Sequence, residues 1–176
     1  MSGAGTVRPL TETDRPELER HLRAGWGSTR MASRGRVLEI TQLPGFVARR
    51  HREWLGYAAY HLADGALEVA LLESLVADRG AGSALLAACA LEAQRSRCSR
   101  LWLITTNDNI DALRFYQVRG FRLVALRRGA VDEARRALKP EIPERGAYGI
   151  PIRDELELEL PSEEWRAYVE RHAWPI

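Results

Sequence analysis

Two stretches decide how this chain folds: Gly80-Ala81-Gly82-Ser83-Ala84-Leu85-Leu86 and, one strand later, Asn109-Ile110-Asp111-Ala112-Leu113-Arg114-Phe115-Tyr116-Gln117-Val118-Arg119-Gly120-Phe121. The first stands between a strand-like run, Leu67–Val76, and a run at helical period, Ala84–Arg95. A strand, then Gly-x-Gly, then a helix leaves several backbone N–H groups free at the positive helix end, where phosphate oxygens bind readily. Two phosphate motifs are excluded. A P-loop needs a Lys after its last Gly, and none is near; a dinucleotide fingerprint needs a third Gly where Leu85 stands, and should open the fold. A tight turn ahead of a helix is the plain alternative.

In the second stretch Asn109 and Tyr116 fall on one helix face, two turns apart, with the small Ala112 between them. That face could take a slender ligand along the helix start, with a phenol at its far end. The plainer reading makes Asn109 a cap and Phe115 and Tyr116 core aromatics. Gly120 stands where a left-handed C′ residue belongs, and Phe121 closes the turn.

Working outward, Gly45–Arg50, Trp54–Leu62 and Leu67–Val76 read as strands, the last two joined by the hairpin pair Asp64-Gly65. Thr6–Leu10 is a strand candidate leading into a helix to about Ala24, capped by Thr13 or Asp14, with Leu18 and Leu22 on its apolar stripe. Gly25–Leu43 reads as loop with a short helix or strand. Arg100–Thr106 and Phe121–Arg127 are strands around a helix from Asn107 or Asp108 to Arg119. An insertion, Arg128–Ile152, carries a helical piece, Ala130–Leu138. A last strand, Ile152–Leu160, precedes a helix from about Pro161 to His172. One α+β domain over 1–176, with a mixed, mostly antiparallel sheet flanked by helices, is the economical expectation.

Composition excludes several classes. The 176 residues are 45% hydrophobic and 28% charged, which suits a folded domain and rules out disorder. Of 26 basic residues 25 are Arg, and Lys139 is the single Lys. The arginines are scattered and offset by 24 Asp and Glu, so the footprint of a nucleic-acid binder is weak. Cys89 and Cys98 make neither a disulfide framework nor a usual zinc site. Met1–Arg8 has no signal-peptide character, and Gly82–Leu91 is too short to span a membrane. A soluble, cytoplasmic setting without membrane contact is expected.

Together the two stretches resemble the GNAT superfamily of acyl-CoA-dependent N-acyltransferases, strongly over about Val69–Val124, and the flanking elements suit the same family. The resemblance implies acetyl-CoA as co-substrate, no metal, and a small-molecule or protein amine as acceptor. By position, the backbone of Arg79, Gly80, Ala81, Gly82 and Ser83 would cradle the pyrophosphate. Leu75 and Val76 would pair with the pantetheine arm as an added strand. Asn109, with Ala112 in line, would contact that arm, and Tyr116 would sit near the thioester sulfur as proton donor. The family's leading Arg or Gln falls on Ala77, so the loop lacks that side-chain support.

An amine must lose a proton to attack a thioester, so a base is needed. Glu73 interrupts an apolar run, and Glu68 lies near the start of the same strand. A carboxylate there faces a cleft or is costly to bury, while a solvent-facing side chain is the other reading for Glu68. In the insertion, Asp132, Glu133, Glu141, Glu144 and Asp154 would favour a cationic amine, or the segment is a homodimer contact or surface excursion. Three classes follow: an N-acetyltransferase, a non-catalytic acyl-CoA-binding module with Tyr116 merely packing, and an Arg-rich nucleic-acid binder.

Overall fold

Asp64 and Gly65 both adopt positive φ, 51° and 70°, the geometry of a two-residue hairpin turn whose twist matches its strands. In the computed structural model, which describes residues 5–77 and 80–175, this turn joins the two longest strands. The strands are β1 (Thr6–Pro9), β2 (Arg30–Ser33), β3 (Arg36–Glu39), β4 (Gly45–Arg50), β5 (Glu53–Ala63), β6 (Ala66–Ser74), β7 (Arg100–Thr106), β8 (Arg122–Arg127) and β9 (Glu155–Leu160). The helices are α1 (Arg15–Trp26), α2 (Ala81–Arg95), α3 (Ile110–Val118), α4 (Ala130–Ala137) and α5 (Trp165–His172).

Seven strands form one sheet in the order β1-β4-β5-β6-β7-β9-β8, while β2 and β3 form a separate hairpin. Every neighbouring pair is antiparallel except β6–β7, which is parallel and bridged by α2. The expected mixed, mostly antiparallel sheet flanked by helices is thus the observed one. α2 is apolar almost all round, as a helix buried on every side must be. Leu85, Leu86, Cys89, Ala90 and Ala93 lose all exposure against Leu67, Leu101 and Leu158 on one sheet face, and Trp165 and Tyr168 of α5 join that core. On the opposite face Leu18 and Leu22 of α1 cover Val47, Tyr57, Ala59 and Leu71.

Several boundaries differ from the sequence reading. α1 runs on to Trp26 and stops at Gly27, which is left-handed. Its start is held by Asp14, whose carboxylate accepts from both Thr11 N and Thr11 Oγ1 at 2.8 Å and from both terminal nitrogens of Arg8. The β2–β3 hairpin emerges where loop with a short helix or strand was expected, turning at Arg34 and Gly35, again both at positive φ. α2 begins at Ala81 rather than Ala84, and β9 at Glu155 rather than Ile152.

Candidate active site

The register between β5 and β6 slips once: Ala59 pairs with Leu71 but Tyr60 with Val69, leaving Ala70 as an extra residue. A bulge bends its strand. Here the bend coincides with the end of β6–β7 pairing, which covers only Ala66–Val69 against Arg100–Leu103. Beyond it β6 stays bonded to β5 as far as Ser74, and β7 stays bonded to β9 as far as Thr106. The two strands part, and a cleft opens within the sheet.

The narrow end of the first motif sits at the mouth of this cleft. Gly80 is the left-handed N-cap of α2 (φ 74°) and has no capping side chain, and the first helical bond runs from Ala84 N to the Gly80 carbonyl. The amides of Ala81, Gly82 and Ser83 therefore precede the helical ladder. Gly82 admits no side chain: a Cβ there would lie 2.8 Å from Phe115 Cζ and 2.9 Å from Ser74 Oγ. Arg79 lies outside the described residues. Leu75 donates its N–H to the Leu55 carbonyl, so its backbone groups turn towards β5 and not to the cleft. Ser74, one residue earlier, turns its own towards the cleft instead. Val76 lies in the bend after β6, its side chain against the α2-side core.

On α3 the second motif is divided. Asn109 is the N-cap, its Oδ1 accepting from Ala112 N at 3.2 Å, and Ala112 packs against the core. Tyr116 is 8% exposed, with Phe115 and Phe121 rings at 5.4 and 5.6 Å. Burial, with the Cys89 thiol nearby, pushes its phenol well above the usual range, so it stays protonated throughout the neutral range.

Glu73 and Glu68 lie on the face opposite α2, on either side of the bulge. Glu73 accepts from the Trp26 indole N–H at the end of α1 and from the Tyr57 hydroxyl at 3.4 Å. Burial, then the Glu73 charge, raises the Tyr57 phenol far above its ordinary value. His21 stacks on Trp54 and tilts against Tyr57, closing this corner. Glu68 is 2% exposed and is engaged by Ser33 Oγ and by Arg36, so the β2–β3 hairpin is fastened onto β6.

Sequence reasoning missed the rest of that face. Glu155, Glu157 and Glu159 project from alternate positions of β9 beside Arg34, Arg100 and Arg127. Burial would raise Glu157, but Arg100 and Arg127 hold it below the ordinary carboxylate range. For Glu155, burial prevails and raises it. Trp102 lies beneath the guanidinium groups of Arg34 and Arg100. No spacing rule picks such residues out of 25 arginines; only the β7–β9–β8 pairing does. The insertion's acids are partly spent on their own loop: Asp132 pairs with Arg135, and Asp154 accepts from Gly129 N. Lys139 is 7% exposed and donates to the Arg30 carbonyl at 2.6 Å, tying the insertion to the hairpin.

A profile of the acetyltransferase (GNAT) family matches residues 10–121. The chain belongs to this family. Among its relatives is the uncharacterized protein YdhI of Bacillus subtilis (strain 168), 41% identical over 132 residues that cover 74% of this chain and 82% of YdhI. Solved structures share the fold. An IAA acetyltransferase from Bacillus cereus superposes with a TM-score of 0.69 at 18% identity, covering 89% of this chain and 99% of that one. A GNAT family acetyltransferase from Elizabethkingia anophelis with acetyl-CoA bound gives 0.62 at 20% identity, covering 90% and 98%. In this GNAT chain no helix among the described residues is long and apolar enough to cross a membrane.

Proposed function

We propose that the protein moves the acetyl group of acetyl-CoA directly to a primary amine in a ternary complex, the amine belonging to a small molecule or a protein. The observation that carries this reading is the parting of β6 and β7 at the Ala70 bulge, directly ahead of the uncapped N-terminus of α2. A pantetheine arm in the cleft would complete the interrupted sheet, and its pyrophosphate would meet the free amides of α2.

Glu73 is the base in this proposal, since Glu68 is already committed to Ser33 and Arg36. The amine nitrogen attacks the thioester carbon while its surplus proton passes to the Glu73 carboxylate. The tetrahedral oxyanion accepts a hydrogen bond from a backbone N–H of parted β6. The C–S bond then breaks, and the sulfur leaves as a thiolate that accepts a hydrogen bond from the Tyr116 hydroxyl. A phenol held protonated suits that supporting role; the proton taken up by Glu73 returns through solvent to the released thiolate, which leaves coenzyme A as its thiol and restores the carboxylate.

The enclosed ring of Tyr116 favours a second reading, in which the residue only packs and the protein binds acyl-CoA without turnover. Thiol release from acetyl-CoA over a panel of amines separates the two. The acetyltransferase reading expects amine-dependent release in the wild type and a loss of at least about tenfold in Tyr116→Phe with acetyl-CoA binding retained. Binding without release for any amine supports the second reading. No thermal stabilisation by acetyl-CoA overturns both.

A further inference from the structure

Arg119 ends α3, and its side chain reaches across to the first turn of α2. Its Nε donates to Ser83 Oγ at 2.9 Å and its Nη1 to the Phe115 carbonyl at 2.9 Å, with the guanidinium carbon 3.6 Å above the Phe115 ring. That arrangement fixes the guanidinium plane and leaves its Nη2 hydrogens uncommitted among the described residues. A second arginine and an imidazole stand beside it at the end of α5. Tyr168, whose hydroxyl donates to the Ser83 carbonyl, carries the His172 ring tilted against it at 4.6 Å, and Arg171 precedes His172 on the chain. Burial, then the charges of Arg171 and Arg119, press the His172 imidazole below its ordinary value, so the three groups share one neighbourhood.

Among the described residues neither arginine has an acidic partner, and the imidazole beside them, pressed towards its neutral form, has none either. On α5 and in the turn before it Glu170 pairs with Arg166 and Glu164 with Arg122, and no carboxylate there reaches Arg119, Arg171 or His172. Like charges gathered beside a helix N-terminus repel one another unless an anion joins them. In the cofactor reading the α2 amides would face the pyrophosphate along the helix axis. Arg119 at the end of α3 and the Arg171 and His172 side chains of α5 stand to one side of that axis.

We propose that Arg119, Arg171 and His172 form a second phosphate subsite beside the Gly80–Ser83 turn, which takes the 3′-phosphate on the ribose of coenzyme A. The inference rests on the cofactor reading above and assigns to Arg119 the side-chain charge that Ala77 cannot supply. Its role is discrimination: the pyrophosphate is common to CoA and its 3′-dephospho form, and only the former carries this dianion. Arg119 holds the centre of the subsite, and the exposed Arg171 closes it from solvent.

Calorimetric titration of the full chain with CoA and with 3′-dephospho-CoA tests this without turnover. The wild type is expected to bind CoA at least about tenfold more tightly, the effect of one charge-assisted hydrogen bond. Arg119→Gln and Arg171→Gln should each narrow that ratio by weakening CoA alone. Arg171→Gln, on an exposed side chain, keeps the test valid if Arg119→Gln fails to fold. Equal wild-type affinities, or parallel loss of both ligands in Arg171→Gln, overturn the subsite while leaving the cofactor reading intact. If neither ligand binds the wild type, the cofactor reading itself fails.

Discussion

Glu73 and Glu68 show how two carboxylates on one strand acquire different duties from their neighbours alone. Glu73 meets an indole and a phenol at the cleft, whereas Glu68 is closed into an ion pair under a hairpin. Glu73→Gln is therefore expected to cut amine-dependent thiol release by about a hundredfold or more with little change in melting temperature. Glu68→Gln should instead cost about 1–3 kcal/mol of stability in denaturant titration, because it strips the charge from a buried partner of Arg36. Asp14 gives a pH signature. The Arg8 guanidinium, then the Thr11 bonds, hold its carboxyl far below the usual range against the cost of burial. A depressed native value stabilises the fold above the unfolded value near pH 4, and that contribution fades as pH falls towards the native one. The stability gap between wild type and Asp14→Asn, about 2 kcal/mol, should hold constant above pH 5 and shrink below pH 4.

At the scale of elements, the Asp-Gly hairpin and the glycine that ends a helix were legible, and the Arg-Gly turn was not. Asp64-Gly65 announces its hairpin, and Gly120 announces the end of α3 by standing where a left-handed residue is required. Arg34-Gly35 makes the same kind of turn as Asp64-Gly65, but an arginine at positive φ carries no local signal, so the segment read as loop with a short helix or strand and the β2–β3 pairing stayed hidden. The two glycines can be compared. At Gly65 a Cβ meets nothing within 4 Å, so Gly65→Ala should cost only the left-handed backbone penalty, about 1 kcal/mol. At Gly120 (φ 92°) the added carbon also lies 2.8 Å from Glu164 Oε2, a group held by Arg122. Gly120→Ala should be the more destabilising in the same denaturant titration, by about 1 kcal/mol beyond Gly65→Ala.

Across the whole molecule, the parts of the site that follow the chain locally were readable, and the parts made by distant pairing were not. The Gly80–Ser83 turn and the Asn109–Tyr116 helix could be located in advance because each motif is contiguous. The partners of Glu73 come from α1 and β5, and the arginines on the β9 face come from three separate segments. The scattered arginines thus include the partners of buried glutamates on one face and, on the other, two that have no acidic partner among the described residues. The fold as a unit should respond to its cofactor. Acetyl-CoA at a hundred times its dissociation constant should add about 2.7 kcal/mol, a melting shift of about 5–10 °C by scanning fluorimetry.

The parted strands also bear on colloidal behaviour. Where β6 and β7 separate, each presents unpaired peptide groups, so the sheet has a pair of edges in its middle as well as at its rims. Free edges invite strands from other molecules. Heated without ligand, the protein should turn turbid at a lower temperature than with CoA present. A molecule that fills the gap as a strand would act as a solubility chaperone for its own binding site.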